Sequence, residues 1–271
     1  MELETIIFGD PHCDFTAVEE VAMSVDPARP PLCIFVGDFG FTDVELSNWE
    51  QGTSRHGLPR IDTRTPDEIL RPLADLGCRI LHVRGNHDFD DQAQYGAVIG
   101  SHVLRGGNLH CRVVEINGVR IAGLEGVFGG PWQPKLNAIA SPNRQHWLDT
   151  NKSYKNGQRW CHSLEKQWGI PPGLQVRHRQ FIWPDEYEYL RTLEADVLIT
   201  HEAPLSPECP RGYQQINDLA ADMGVKVIIH GHTHREYETL LENGVESRCA
   251  PIKSYLHLDL SQYAPLRNPS L

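Results

Sequence analysis

The chain has 271 residues, a length that suits one large α/β domain or two smaller ones with a sizeable core. Its 40% hydrophobic and 23% charged fractions are ordinary for a globular protein in water, and its apolar runs are far too short to cross a bilayer. A membrane role is therefore excluded and no secretory leader is expected; seven scattered cysteines without a CxxC pair argue against a disulfide framework or thiolate zinc site and for a cytoplasmic location.

The net charge of −11 is unevenly spread. Between Pro131 and Trp183, eight cations (Lys135, Arg144, Lys152, Lys155, Arg159, Lys166, Arg177 and Arg179) face only Asp149 and Glu165, an excess of +6 that leaves −17 for the remainder. Trp132, Trp147, Trp160, Trp168 and Trp183 fall in the same stretch. The reversal marks a basic, Trp-rich insertion at about residues 128–183 within a single domain over 1–271.

In chain order, Thr5-Ile6-Ile7-Phe8 is a short buried strand that stops at Gly9-Asp10-Pro11-His12. A helix follows, with Thr16 and Glu19 spaced as a capping box and Val18, Val21 and Ala22 on one face. Leu32 to Val36 is a second strand, ending at Gly37-Asp38, so strand, helix and strand predict a parallel pair joined by a crossover. Residues 40 to 64 read as a surface excursion. Thr65-Pro66-Asp67-Glu68 opens a helix, with Thr65 as N-cap, Pro66 at N1 and Glu68 at N3, and Gly77 ends it. Arg79 to Val83 is the third strand and delivers Gly85-Asn86-His87-Asp88.

From Leu109 the pattern turns antiparallel: two apolar runs flank Asn117-Gly118, a strong hairpin signal. A helix from Asp185 to Leu193 leads into the strand Asp196 to Thr200, which ends at His201. Tyr213 to Met223 reads as a helix, and the strand Val225 to Ile229 carries Gly231-His232-Thr233-His234. Tyr237 to Leu241, Val245 to Ala250 and Ser254 to Leu260 read as strands of a second sheet, and the residues after Gln262 as a loosely held terminus.

Five of these loops share a chemistry. Divalent metals want carboxylate, imidazole and amide oxygen, which is what Asp10 and His12, Asp38, Asn86 with His87, His201, and His232 with His234 offer. Each signal alone is weak, since Gly-Asp after a strand is usually a turn and a lone histidine usually structural. Five in order, each leaving a strand at its carboxyl end, point to one site where such loops converge.

The series Asp10-x-His12, Gly37-Asp38, Gly85-Asn86-His87-Asp88, His201 and Gly231-His232-x-His234 resembles the calcineurin-like metallophosphoesterase superfamily. The resemblance covers both ends of the chain but not residues 40 to 64 or the insertion. It implies an α/β (α+β) fold of two packed mixed β-sheets flanked by helices, a four-layer sandwich. It also implies two divalent ions, one on Asp10, His12, Asp38 and His234, the other on Asp38, Asn86, His201 and His232. His87 would stand beside the substrate and Asp88 would orient it. Such a pair of cations makes a bridging water acidic enough to act as hydroxide near neutral pH and draws charge from phosphoryl oxygens. Manganese is favoured, while iron, zinc and nickel also suit these ligands.

Two departures bear on the substrate. Arg84-Gly85-Asn86-His87 is close to the pattern of the protein Ser/Thr phosphatases, yet Gly37-Asp38-Phe39-Gly40-Phe41-Thr42-Asp43 lacks their acidic-Arg-Gly sequence, and Cys13 stands where they have Gly. The complete Gly-His-x-His is similar to the phosphodiesterase and nucleotide-hydrolase branches. The expected partner is thus a phosphate ester, nucleotide or nucleic acid among the candidates, with a phosphoprotein phosphatase and a non-catalytic metal- or RNA-binding interaction protein as alternatives. Arg84 has two readings, a phosphate anchor or a salt bridge on the sheet rim. The insertion has three: a satellite subdomain, a cap that brings Arg177 and Arg179 to the substrate, or a nucleic-acid contact. His82, His102, His110, His230 and His257 read as ordinary half-buried histidines.

Overall fold

A computed structural model describes residues 2–40, 64–88, 92–129, 131–133, 138, 139, 141–143, 146 and 179–265. The first sheet is built from β1 (Glu4–Phe8), β2 (Leu32–Phe35), β3 (Arg79–His82) and β12 (Tyr255–Asp259), in the order β12-β1-β2-β3. The first three strands pair in parallel and β12 closes the edge antiparallel to β1. The second sheet has six strands: β4 (Arg112–Ile116), β5 (Val119–Leu124), β8 (Val197–Thr200), β9 (Val227–His230), β10 (Tyr237–Leu240) and β11 (Glu246–Cys249). Their order is β10-β11-β9-β8-β5-β4, parallel in the middle and antiparallel at both edges. A two-residue pair, β6 (Trp132–Gln133) and β7 (Ala138–Ile139), stands apart.

The period of two along each strand decides the layers. Ile7, Ile34 and Leu81 of the first sheet meet Ile121, Val197, Ile199, Val227 and Ile229 of the second in one buried core. Their neighbours Ile6, Phe8, Cys33, Phe35 and Ile80 face the other way, against α1 (Thr16–Ser24) and α2 (Pro66–Asp75). On the far side, Ala122, Leu124, Leu198 and Ile228 pack against α4 (Pro184–Leu190) and α5 (Gln214–Asp222). Helices, sheet, sheet and helices form four layers, as the family resemblance implied. Each fully buried aliphatic or aromatic side chain contributes roughly 1.5–3 kcal/mol to holding them together. A further helix, α3 (Gln92–Gly100), follows the third motif.

Several local expectations hold. Thr65 caps α2 with the full reciprocal box to Glu68, and Pro66 takes the first turn. Asn117 and Gly118 adopt the positive φ values, 51° and 82°, that a tight hairpin turn between β4 and β5 demands. Others are corrected. Thr16 does not cap α1; Phe15 occupies the cap, and Asp14 Oδ1 accepts from Thr16 N and Oγ at 3.2 and 2.8 Å. The strand expected from Ser254 to Leu260 joins the first sheet through β1, not the second. Tyr263 is buried in the inter-sheet core and its carbonyl accepts from Lys226 Nζ at 2.6 Å, so the chain is held to that point.

Trp132, assigned to the insertion, packs in the body instead, and Trp183 is buried. Trp132 meets Phe128 and Tyr187 edge-on at 5.1 and 5.3 Å and donates Nε1–H to Ile182 O. Residues 41–63 and 147–178, which hold the excursion and most of the insertion, lie outside the described residues. His102 and His257 are exposed, not half-buried.

Candidate metal centre

The loops leaving β1, β2, β3, β8 and β9 meet above the inter-sheet core, at the carboxyl ends of the parallel strands. Their backbone is unusual. Of eight non-glycine residues with positive φ among the described residues, five lie here: His12, Cys13, Asp38, His232 and His234, between 44° and 66°. Side chains with a Cβ avoid this region, so the loops hold them there by other contacts. His12 N donates to Asp38 O at 2.9 Å, and His232 N to Asp10 Oδ2 at 2.7 Å.

The side chains gather into two groups that share one carboxylate. Donor atoms of Asp10, His12, Asp38 and His234 form one, those of Asp38, His201 and His232 the other, with all atoms of a group within 4.8 Å of one another. Asn86 adds an oxygen to the second group: its Oδ1 stands 3.1 Å from His201 Nε2, which is also 3.1 Å from His232 Nδ1. In the first, His12 Nε2 is 3.0 Å from His234 Nε2. Two donors about 2.1 Å from a common ion and at right angles to it stand about 3.0 Å apart, so these separations fit a shared cation.

The polar accounting points the same way. Asp10 and Asp38 are buried, yet among the described residues Asp10 Oδ1 and Asp38 Oδ2 have no hydrogen-bond partner, a costly state for a carboxylate oxygen. The other oxygen of each is used on the backbone: Asp10 Oδ2 accepts from His232 N, and Asp38 Oδ1 from His87 N at 2.7 Å. His201 Nδ1 lies 2.9 Å from Val36 O, which fixes the proton there and turns Nε2 toward Asp38 Oδ2 at 3.3 Å.

Burial and mutual charge shift the titration of these groups. Burial raises the Asp10 carboxyl to about 7, with the Asp38 charge adding to it. Burial works against Asp38 too, but the His201, His12 and His87 imidazoles hold it well below the carboxylate range. Burial would depress His201, whereas Asp38 and Asp10 lift it to about 10. The donor set and its orphaned oxygens fit two divalent ions.

His87 stands at the edge of the first group, its ring centroid 5.4 Å from that of His12. Asp88, expected to orient His87, has three backbone partners: Oδ2 accepts from Asp38 N and Gly85 N, and Oδ1 from Phe39 N. It ties the second and third motif loops together. The Arg84 guanidinium is taken up by Glu125, with Nε 2.6 Å from Oε2 and a second contact from Nη2 to Oε1, which is the salt-bridge reading. Arg179 is buried, 5.2 Å from the centroid of the Tyr95 ring, and Arg177 lies outside the described residues.

Sequence reasoning missed two features. Glu202, directly after His201, is buried with Oε1 3.9 Å from His232 Nε2, and burial raises its carboxyl to about 7. A cleft of about 770 Å³ opens beside Asn86 and His232, lined also by Phe128, Tyr213, Arg211 and Arg235. Glu202 and Arg235 each adjoin a motif histidine, a signal that was legible; Arg211 gave none.

A family model described as calcineurin-like phosphoesterase matches residues 3–236. A curated relative, an uncharacterized protein of Haemophilus influenzae, is 42% identical over 161 residues, 59% of this chain and 64% of that protein, so the match spans less than two thirds of the relative. Among solved structures, a protein of Thermus thermophilus aligns with a TM-score of 0.53 at 13% identity, covering 97% of this chain and 96% of that one. A dimetal phosphatase from Danio rerio aligns with a TM-score of 0.55 at 11% identity, over 93% and 88% of the two chains. At such identities these two are likenesses of fold.

Proposed function

Because the chain belongs to the calcineurin-like phosphoesterase family, we propose that it hydrolyses phosphate esters with two divalent cations, favouring phosphodiester or nucleotide substrates over phosphoproteins. Asp10, His12, Asp38 and His234 would hold one cation, and Asp38, Asn86, His201 and His232 the other. Manganese is the favoured ion. The observation that carries this reading is the position of Asp38, whose carboxylate belongs to both donor groups and keeps Oδ2 without a hydrogen bond.

When bound, the cations supply Lewis acidity toward water and the phosphoryl oxygens. The residues do the rest. Asp38, common to both donor groups, would offset the repulsion between the cations, and neutral Asn86 would leave the site net positive toward an anion. Water, giving up one proton to solvent, forms the new bond to phosphorus as the ester bond breaks, and His87 gives its proton to the departing oxygen and regains one from solvent. Asp88 fixes both loops by its three amide contacts and so keeps His87 in register with Asp38.

The test compares bis-(p-nitrophenyl) phosphate with p-nitrophenyl phosphate in Mn²⁺, then adds EDTA. EDTA-sensitive turnover that is faster on the diester supports the proposal. Much faster cleavage of the monoester favours a phosphatase. Turnover of neither, with two metals bound, favours an interaction protein.

A further inference from the structure

The cleft beside the metal centre is one-sided. It is lined by Asn86 and His232 of the second donor group, whereas His12 and His87 of the opposite side are not among its walls. Under the proposed function, on which this inference rests, His87 marks the side from which the leaving oxygen departs. A group seated in the cleft is then a substituent that stays on phosphorus. A monoester has no such group; a diester or an anhydride does.

The walls indicate its chemistry. The half-buried Tyr213 ring is backed by the buried Phe128 ring, centroids 4.8 Å apart, and offers the cleft a face suited to a flat aromatic group. Gln180, half-buried, lies on the same wall. Arg211 and Arg235 are exposed in the same cleft and have no carboxylate partner among the described residues. Glu208 also reaches the cleft but is exposed, and Glu202 directs its oxygens to the amides of Phe128 and Ala203 at 3.2 Å. In a chain of net charge −11, two arginines left unpaired beside a cation-binding site are suited to a second anion. The volume, about 770 Å³, is that of a small-molecule site and not of a polymer groove.

We infer that this cleft is the specificity site for the retained arm of the substrate, a nucleoside bearing a second phosphate. The base lies against Tyr213, and the second phosphate is gripped by Arg211 and Arg235.

The experiment is equilibrium binding to the full-length protein in Mn²⁺, by calorimetry, of adenosine, AMP, α,β-methylene-ADP and a single-stranded trinucleotide. The second phosphate should tighten binding about tenfold from AMP to the methylene analogue, and the R211A/R235A double variant should lose that gain. R211K/R235K should recover part of it, which separates charge from packing. Equal affinity for AMP and the analogue, or a gain that survives in R211A/R235A, overturns the assignment. Tighter binding of the trinucleotide than of the analogue overturns it in favour of nucleic acid. Turnover of bis-(p-nitrophenyl) phosphate by the wild type, measured alongside, reports separately on the phosphoesterase reading.

Discussion

Replacing Gly85 with alanine tests the close packing on which the shared carboxylate depends. A methyl group on Gly85 would sit 2.1 Å from Asp38 Oδ1, 2.6 Å from His201 Cε1 and 2.7 Å from Asp38 N. A relaxed carbon–oxygen contact needs about 3.3 Å, so the carboxylate and the ring must each yield by roughly 1 Å. One of the three obstacles is backbone, and the loop behind it is tied by Asp88, so no flexible side chain can absorb the shift. Gly85 is not in the left-handed region, and the substitution therefore reports on space alone. Overpacking of this kind costs about 1–3 kcal/mol of stability, and a 1 Å misplacement of catalytic groups costs about a hundredfold in rate. G85A should fold, bind less than its two equivalents of Mn²⁺ by elemental analysis, and lose about a hundredfold in kcat on a diester. G100A, whose added methyl meets nothing within 4 Å, is the control. If G85A keeps a full complement of metal and a kcat within about threefold of wild type, the reasoning from packing is wrong.

Three further outcomes are expected. Burial would raise Glu125, but Arg84 and His110 hold it at about 2 against an ordinary 4.5, so it stabilises the fold above pH 4.5 and that stabilisation is lost as pH falls toward 2. The contribution is on the order of 3 kcal/mol; R84M should be destabilised by about 3–5 kcal/mol at pH 7 and should lose less than wild type between pH 5 and pH 3, as read from urea midpoints. H87A should lower kcat by about 10²–10⁴ on esters with an alkoxide leaving group and by much less with p-nitrophenolate, which leaves without a proton; equal losses on both would remove the acid role. Saturating Mn²⁺ at about a hundred times its Kd should add roughly 2.7 kcal/mol to unfolding stability, reversed by EDTA and much reduced in D38N; a thermal midpoint indifferent to Mn²⁺ would count against the centre.

What could be read from the chain is what is decided locally. The reciprocal cap at Thr65 and Glu68 needs residues three apart, and the hairpin at Asn117-Gly118 needs two positive φ values, so both were visible in order. The converging loops were visible because each follows a buried parallel strand. The destination of β12 was not, since alternation in Tyr255–Asp259 serves either sheet; only its pairing with Glu4–Phe8, some 250 residues away, decides. α3 escaped because Gln92–Gly100 carries an internal glycine and no clear apolar stripe. Thr16 misled because Asp14 offers an equally good acceptor two residues before it. The cleft is assembled from the loops after β8 and β9 and from Phe128 and Gln180, a three-dimensional coincidence that no spacing rule encodes.

The left-handed backbone at His12, Asp38, His232 and His234 bears on how the centre works. Residues held there cost of order 1–3 kcal/mol each, and they persist only where the surroundings over-determine them. Here the surroundings are named: Asp88 on three amides, Asp10 on His232 N, and Val36 O on His201 Nδ1. The donor atoms are thus aimed by the protein's own hydrogen bonds, around three carboxylates, Asp10, Asp38 and Asp88, that are buried together. Geometry over-determined by the fold in this way describes a preorganised site.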